Sequence, residues 1–240
     1  TNLFKGDLGP SYRYKDKKVQ SIISEALPES LKIGFFSLIF SVFLGIILGG
    51  ISAYYNHKFY GKLIDSGALF LSSIPSFLIA LILILVLSLW IPVFPTGLNE
   101  DFSSLIMPIL TLCVAPTAYL VRISRVSFLE HSQMPCILSA RARGVRSYKI
   151  FLNHFLRLTA PPLLTVLGPM IALLITGSFV VEYIFVIPGI GRHFVQAVIN
   201  RDYPLVLGVT LVYTLILLTT NGLCDYYAEK LSRRRKEALD

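Results

Sequence analysis

Long apolar runs separated by short polar segments dominate the pattern of this chain. A helix rising about 1.5 Å per residue needs roughly 20 apolar residues to cross a bilayer core about 30 Å thick. Five stretches meet this demand, and they are approximately residues Ile33 to Tyr55, Ala68 to Ile91, Leu105 to Val121, Pro161 to Val181 and Leu205 to Leu223. None of these cores contains Asp, Glu, Lys, Arg or His. The pattern predicts an all-α fold, a polytopic bundle of transmembrane helices with five visible spans.

Composition supports this prediction. The chain is 54% hydrophobic and only 15% charged, with a mean hydropathy of +0.68, and these values are typical of membrane proteins rather than soluble ones. Its cysteines show no metal-ligand spacing, so we expect neither a disulfide framework nor a zinc site.

Motifs for chemistry are absent from the sequence. It contains no P-loop, no GxSxG and no paired-histidine zinc motif, and its histidines are scattered without metal-ligand spacing. We therefore expect no catalytic, cofactor-binding or metal-binding residues, and we expect that the chain is not an enzyme.

Basic residues alternate between the loops. Segments 56–66, 122–160 and 227–240 are rich in Lys and Arg, whereas segments 92–104 and 183–204 are poor in them. Under the positive-inside rule the first group, including the C-terminal tail, is cytoplasmic and the second group is outside. Topology thus accounts for most of the net charge of +8, so nucleic-acid binding is not expected. The basic tail instead predicts contact with membrane lipid headgroups.

The N-terminal segment disagrees with this rule. Residues 1–30 lie outside by parity, although they include Lys5, Arg13, Lys17 and Lys18. A further span before Thr1 would account for an outside segment here, followed by a transmembrane domain at 31–226. The segment has no apolar signal core, so we expect no cleavable targeting peptide.

The long cytoplasmic loop contains the run SARARGVRSYKIFLNHF at residues 139–155. Apolar or small residues recur there at helical spacing, and they are Ile137, Ala140, Gly144, Tyr148, Phe151 or Leu152, and Phe155. The cations project elsewhere, at Arg141, Arg143, Arg146 and Lys149. This pattern predicts one or two short amphipathic helices, with a bend or a close backbone approach at Gly144. Such a helix either rests on anionic headgroups or docks into a groove on a cytoplasmic partner.

The second outside loop reads VEYIFVIPGIGRHFVQAVINRDYPLV at residues 181–206. A turn cluster of Pro188, Gly189 and Gly191 precedes a pattern compatible with an amphipathic helix, whose apolar positions are Phe194, Val195, Val198 and Ile199. Arg201, Asp202 and Tyr203, followed by Pro204, end that helix. The loop is either a helix resting on the membrane or part of an external gate or docking surface.

Together these loops resemble the permease subunits of binding-protein-dependent ABC importers, specifically the oligopeptide and dipeptide permease group. SARARG at 139–144 is similar to the group's cytoplasmic signature. The group also resembles this chain in two further stretches, EYIFVIPGIGRHFVQAVINRDYPLV at 182–206 and GDLGPS at 6–11. The family's acidic first signature residue is replaced by Leu138, and Pro135 and Cys136 stand where Asp-Tyr is usual.

The resemblance implies a division of labour among subunits. Two ABC ATPase subunits would dock on the cytoplasmic loops, with the coupling residues Ser139, Ala140, Arg141, Ala142, Arg143, Gly144, Tyr148 and Phe151. A second, homologous permease subunit would complete the pathway, and an extracytoplasmic solute-binding protein would deliver substrate. ATP would be used by the partner, so this subunit needs no cofactor. Family members have six spans and lie in the bacterial plasma (inner) membrane; the missing span would precede Thr1.

Two alternatives remain. An ion-coupled secondary transporter usually needs ionisable groups within its spans, and the span cores here have none. Within the resembled family, nickel or another small solute could replace peptide as the substrate.

Overall fold

The computed structural model describes residues 7–14, 17–96, 102–176 and 178–237. Within these ranges the chain is almost entirely helical, and its only β-pairing is an isolated antiparallel bridge between Pro10 and Lys18. The helices are α1 (Val19–Tyr54), α2 (Phe59–Ser72), α3 (Ser76–Ile84), α4 (Ser103–His131), α5 (Pro135–Ala142), α6 (Ser147–Ile150), α7 (Leu156–Thr176), α8 (Ser178–Ile184), α9 (Ile190–Ile199) and α10 (Tyr203–Glu237). Two π-helical segments, Leu85–Trp90 and Phe151–Phe155, extend α3 and α6.

Four stretches of the described chain are helices long and apolar enough to cross a membrane, and a bent helix pair brings the number to as many as five. The four are Val19–Tyr54, Ser103–His131, Leu158–Ile184 and Tyr203–Ser232. The helical bundle predicted from the apolar pattern is thereby confirmed.

The predicted span at residues 68–91 is not one straight helix. Its residues belong to α2 and to α3 with its π-helical extension, and these two parts meet at an angle of 100°. Pro75 lies at the break, where its backbone is extended with a ψ of 139°. A helix tends to break at a proline because proline has no N–H to donate and disfavours helical geometry in the residue before it. The hydropathy pattern could not reveal this bend, since both arms are apolar.

The chain forms two compact units. The first comprises Thr1–Leu38, Pro75–Cys113 and Ile171–Thr219, and the second comprises Ile39–Ile74, Val114–Met170 and Thr220–Asp240. Every segment that the sequence assigns to the outside falls in the first unit, including residues 1–30, and every segment assigned to the cytoplasm falls in the second. Residues 1–30 are thus grouped with the other segments that the sequence assigns to the outside, and the side of the membrane on which each group lies stays a prediction.

The first unit has a buried apolar core. Val19, Ile22 and Ile23 of α1 pack with Leu205 and Val209 of α10, and parts of α7 and α9 complete the cluster. Because α1 begins at Val19, this helix is 36 residues long, or about 54 Å, and extends well beyond the apolar stretch predicted from Ile33 onward.

The second unit depends on close packing of α1 against α4. A Cβ added at Gly49 would lie 2.6 Å from the Ser124 Cβ and 2.7 Å from the Val121 carbonyl oxygen, and one added at Gly45 would collide with Leu120. Gly45 and Gly49 form a GxxxG pattern, which allows two helix backbones to approach closely in a membrane. Only glycine therefore fits at these two positions.

Replacing Gly49 with alanine tests this contact. We expect Gly49→Ala to destabilise the protein by about 1–3 kcal/mol, because the added methyl group forces α1 away from α4. Gly67→Ala in α2 is the matched control, since no atom lies within 4 Å of a Cβ built there. Thermal unfolding in detergent should show a lowered midpoint for the first variant and an unchanged or raised one for the second. Equal midpoints would contradict the packing described.

Candidate functional sites

The cytoplasmic signature lies in the basic segment, which we define as residues 132–155. Its first helix, α5, begins with Pro135 at a position where the missing N–H has no consequence. Ile137 and Ala140 are fully buried and pack with Ile150, and Met134, Val145, Phe155 and Leu158 surround this cluster. The segment is therefore held against its own unit by an apolar core, as the predicted amphipathic character required.

Gly144 ends α5 in a Schellman motif. The Val145 N–H donates to the Ala140 carbonyl (3.1 Å), and the Gly144 N–H donates to the Arg141 carbonyl (2.9 Å). Gly144 has a φ of +75°, and no atom lies within 4 Å of a Cβ built on it. Of the two readings that the sequence left open, the bend is thus confirmed, and within the described part of the chain no other backbone approaches Gly144 closely.

This bend changes which residues form the buried face. Gly144 is exposed, and so are Tyr148 (54%) and Leu152 (55%), although the uninterrupted helical pattern placed them on the apolar side. The prediction was wrong here because the turn at Gly144 resets the helical phase, and Ile150 takes the buried position instead.

The outer face of the basic segment is cationic. Arg141, Arg143, Arg146 and Lys149 are all exposed, together with the predicted coupling residues Ser139 and Ala142. The Arg143 Nη1 donates to the Ser139 Oγ at 2.8 Å, which orders one of these side chains. The sequence has no Asp or Glu between residues 131 and 181. Within this stretch of the sequence no carboxylate offsets these charges.

Phe151, the last predicted coupling residue, connects the basic segment to α1 and α4. A Cβ at Gly50 would collide with the Phe151 ring and would lie 3.2 Å from the Phe128 ring. The rings of Phe128 and Phe151 are 5.3 Å apart, and Phe155 meets Phe128 edge-on at 5.3 Å. The contact gives the basic segment a packed connection to two long helices.

Sequence reasoning missed a polar connection in the same unit. Arg125 of α4 donates to the Asp65 carboxylate at 2.6 Å and to the Asn56 side-chain oxygen at 2.7 Å. These residues join α4 to α2 and to the turn after α1. Three separate segments contribute to this cluster, so no local spacing could have indicated it.

Glu182 organises the outside loop. Its carboxylate is fully buried and accepts hydrogen bonds from the backbone N–H groups of Gly191 (2.8 Å) and Arg192 (3.2 Å) at the start of α9. Ser30 of α1 accepts a further bond from the Ile190 N–H at 2.9 Å. A carboxylate at a helix N-terminus satisfies exposed donors and complements the helix dipole.

The position of the Glu182 carboxylate explains why glycine is required at two of the predicted positions, Gly189 and Gly191. A Cβ at Gly189 would lie 2.6 Å from both the Glu182 carboxyl carbon and the Ser30 Oγ, and one at Gly191 would lie 2.7 Å from the Phe179 Cα. Both glycines are buried, while Pro188 beside them is exposed.

Helix α9 was predicted with the correct location and a partly wrong face. Ile190, Gly191 and Ala197 are buried, whereas Val198 (53%) and Ile199 (69%) are exposed. The helix begins inside the turn cluster at Ile190, so its buried stripe is shifted toward residues 190, 194 and 197.

Asp202 joins the N-terminal segment to the start of α10. Its buried carboxylate accepts hydrogen bonds from the Tyr12 N–H (3.1 Å), the Arg13 N–H (3.3 Å) and the Ser11 hydroxyl. It also accepts a bond from the Leu205 N–H (3.4 Å), as an N-cap residue does. Arg201 and Tyr203, which were predicted to belong to the same site, are exposed, whereas Asp202 between them is buried. Arg201 has a φ of +56°.

The Asp202 carboxyl is held ionised. Burial raises its pKa, but the hydrogen bonds from the Ser11 hydroxyl and from backbone N–H groups outweigh burial, so the pKa lies below the ordinary value. The stabilisation is consequently complete above the ordinary carboxyl pKa and is lost as pH falls through the lowered pKa.

A second contact reinforces this junction. The Tyr14 hydroxyl donates to the Gln196 side-chain oxygen at 3.1 Å and lies 3.4 Å from the His193 Nδ1. Burial, with the nearby Arg192 and Lys17 cations, lowers the His193 pKa, so this ring is neutral at pH 7.

Comparison with known proteins identifies the class. Residues 41–237 match the family described as binding-protein-dependent transport system inner membrane component. The chain therefore belongs to this family, as a multi-pass membrane protein of the permease type.

Individual relatives agree. The chain is 35% identical over 226 residues to the oligopeptide transport system permease protein OppB of Haemophilus influenzae, covering 93% of this chain and 74% of that protein. It is 34% identical over 219 residues to the dipeptide transport system permease protein DppB of Bacillus subtilis, covering 91% and 71%. A solved structure of the MetNI methionine ABC transporter in an inward-facing conformation has a similar fold, with a TM-score of 0.74, 17% identity and coverage of 88% and 97%.

Hydrogen exchange tests the Asp202 junction. We expect Asp202→Asn to increase exchange at the Tyr12 and Arg13 amides by about tenfold, because a neutral amide oxygen accepts these bonds more weakly than a carboxylate. Lowering the pH through the lowered Asp202 pKa, and so below the ordinary carboxyl range, should have the same effect in the unsubstituted protein, after correction for intrinsic rates. Asp225→Asn, at an exposed position, is the control. Unchanged protection in the first variant would refute the assignment.

Proposed function

We propose that this chain is a membrane-spanning permease subunit of an ATP-driven importer and that it forms part of the pathway for peptides delivered by a solute-binding protein. We propose peptide as the substrate because the relatives described above are named for oligopeptide and dipeptide transport. The observation that carries the proposal is the basic segment, which is packed to its own unit on one side and presents exposed cations on the other.

ATP hydrolysis is assigned to separate partners. A second, homologous permease subunit would complete the pathway, and two ABC ATPase subunits would dock on the cytoplasmic loops of the two permeases. In this chain the docking surface would be the exposed face of the basic segment. The sequence has no P-loop of its own. The C-terminus and the basic segment are placed in the cytoplasm, and the chain in the plasma (inner) membrane of a bacterium.

Movement would pass through two packed contacts. When the ATPases close, displacement of α5 is carried by Ile137 and Ala140 to the start of α7, since Leu158 packs on their cluster. Phe151 carries the same displacement to α1 and α4. Tightly packed interfaces switch between discrete arrangements rather than deforming continuously, as alternating access requires.

The outside loop would serve as an external gate or as the docking surface for the binding protein. The Glu182 and Asp202 hydrogen bonds support this role because they fix α9 and the N-terminal segment as one preorganised surface.

The ion-coupled alternative is less well supported. Glu182 is a fully buried carboxylate near the end of the candidate span Leu158–Ile184, and its oxygen already accepts the N–H groups of α9. A group so engaged is suited to holding a helix, whereas a proton relay needs a carboxyl that can change its protonation.

Reconstitution tests the proposed function. Liposomes containing this chain, its partner permease and the ATPases should take up trialanine only when the binding protein and ATP are present. Uptake by this chain alone, driven by a proton or sodium gradient, would contradict the proposal.

A series of variants at Gly144 separates docking from turn formation. Alanine and tryptophan suffer similar strain at φ +75°, and only tryptophan adds bulk to the exposed face. Asparagine tolerates this conformation. We expect Gly144→Asn to retain coupling, Gly144→Ala to weaken it modestly and Gly144→Trp to reduce uptake per ATP hydrolysed by about tenfold or more. Equal coupling in Gly144→Ala and Gly144→Trp would refute docking through this face.

A further inference from the structure

A cavity of about 670 Å³ lies beside α4 in the second unit. Arg122, Val126 and Glu130 of α4 form one wall, and Pro161 and Pro162 of α7 and Ser232 of α10 contribute others. The apolar core predicted for this span ends at Val121, so the cavity wall belongs to the last turns of α4, in the part assigned to the cytoplasmic side. None of the contacts that hold the basic segment uses these side chains.

The wall carries one charge of each sign. Arg122 and Glu130 are both exposed, and among the side chains that the structure describes neither has an ion-pair partner. They are eight residues apart, so their α-carbons are separated by about 12 Å along the helix axis and by about 80° around it. Among the ion pairs that the structure describes, the two charges do not pair with each other.

The axial spacing of the α-carbons is comparable with the length of a short peptide, and the two side chains keep roughly this spacing because all side chains of a helix tilt toward its N-terminus. An extended chain spans about 3.3–3.6 Å per residue, so the terminal ammonium and carboxylate of a tripeptide or tetrapeptide are about 10–14 Å apart. Guanidinium binds carboxylate through two parallel hydrogen bonds, and a carboxylate accepts hydrogen bonds from an ammonium group. Between the two charges the wall presents the apolar side chain of Val126, while Ser127 and His131, which also line the cavity, are buried.

We propose that this cavity is a peptide-binding site on the cytoplasmic side of the permease. Arg122 holds the terminal carboxylate and Glu130 holds the terminal ammonium of a tripeptide or tetrapeptide. Because both contacts are made to groups that every peptide has, the site accepts peptides of any sequence. The choice of ligand rests on the proposed function, whereas the cavity and its charges do not.

Protection of an introduced cysteine tests the site without the binding protein or ATP. Val126→Cys, made with Cys136→Ser, places a thiol at a position that is 55% exposed between the two charges; the native Cys113 is buried and Cys224 is half-buried. The assembled transporter in inside-out vesicles is treated with a maleimide in the presence of trialanine or of N-acetyl-trialanine amide. Tyr119→Cys, on the same wall and 50% exposed, provides a second reporter if the first variant does not assemble.

The expected result is protection by trialanine and none by the doubly capped peptide. Adding Arg122→Gln or Glu130→Gln should raise the concentration for half-protection about tenfold or more, since each removes a charge-assisted hydrogen bond. Lys62→Gln, which removes an exposed cation of α2, should leave it unchanged.

Three outcomes would overturn the site. They are equal protection by the capped peptide, undiminished protection in the two charge variants, and a thiol that does not react because a partner subunit covers it. In the reconstituted system, ATP-dependent uptake of trialanine without any protection overturns this site alone. Failure of uptake overturns the proposed function, whatever the labelling shows.

Discussion

The close approach of α1 and α4 is the contact on which the second unit depends. Gly45 and Gly49 let the two backbones meet at Leu120 and Ser124, and Gly50 in the next position leaves room for the Phe151 ring. The basic segment is therefore seated on a junction that only glycine permits. On another side of α4 the same helix supports the wall that carries Arg122 and Glu130. One pair of helices thus sets the geometry of both surfaces to which we assign function.

The first unit holds its loops in one shape by a different kind of contact. It uses two buried carboxylates, and each of them caps the start of a helix. Glu182 receives the first amides of α9, and Asp202 receives amides from the N-terminal segment and from α10. Charge-assisted hydrogen bonds to a helix N-terminus offset the cost of burying these carboxylates.

Periodicity was sufficient to predict the helical bundle, because the apolar stretches are long helices in the structure. It failed where a short-range turn changed the helical phase, as at Gly144, or where a proline bent an apolar stretch, as at Pro75. It also failed for contacts between distant segments. Arg125 with Asp65, and Ser30 with Ile190, have no signal in local spacing, because only the tertiary fold brings these residues together. The signature residues on the basic segment were identified by resemblance, and periodicity alone would have left them as a helix resting on lipid.

The Schellman turn at Gly144 also fixes a phase relationship. The short connection between α5 and α6 sets which way the cations of one helix point relative to those of the next. Each residue of a helix turns the chain by about 100°, so inserting or deleting one residue before Ile150 would rotate one set of cations away from the other. The length of this connection is therefore under tighter physical constraint than its composition. An exposed position such as Ser147 tolerates other side chains, whereas the number of residues between the two helices does not change freely.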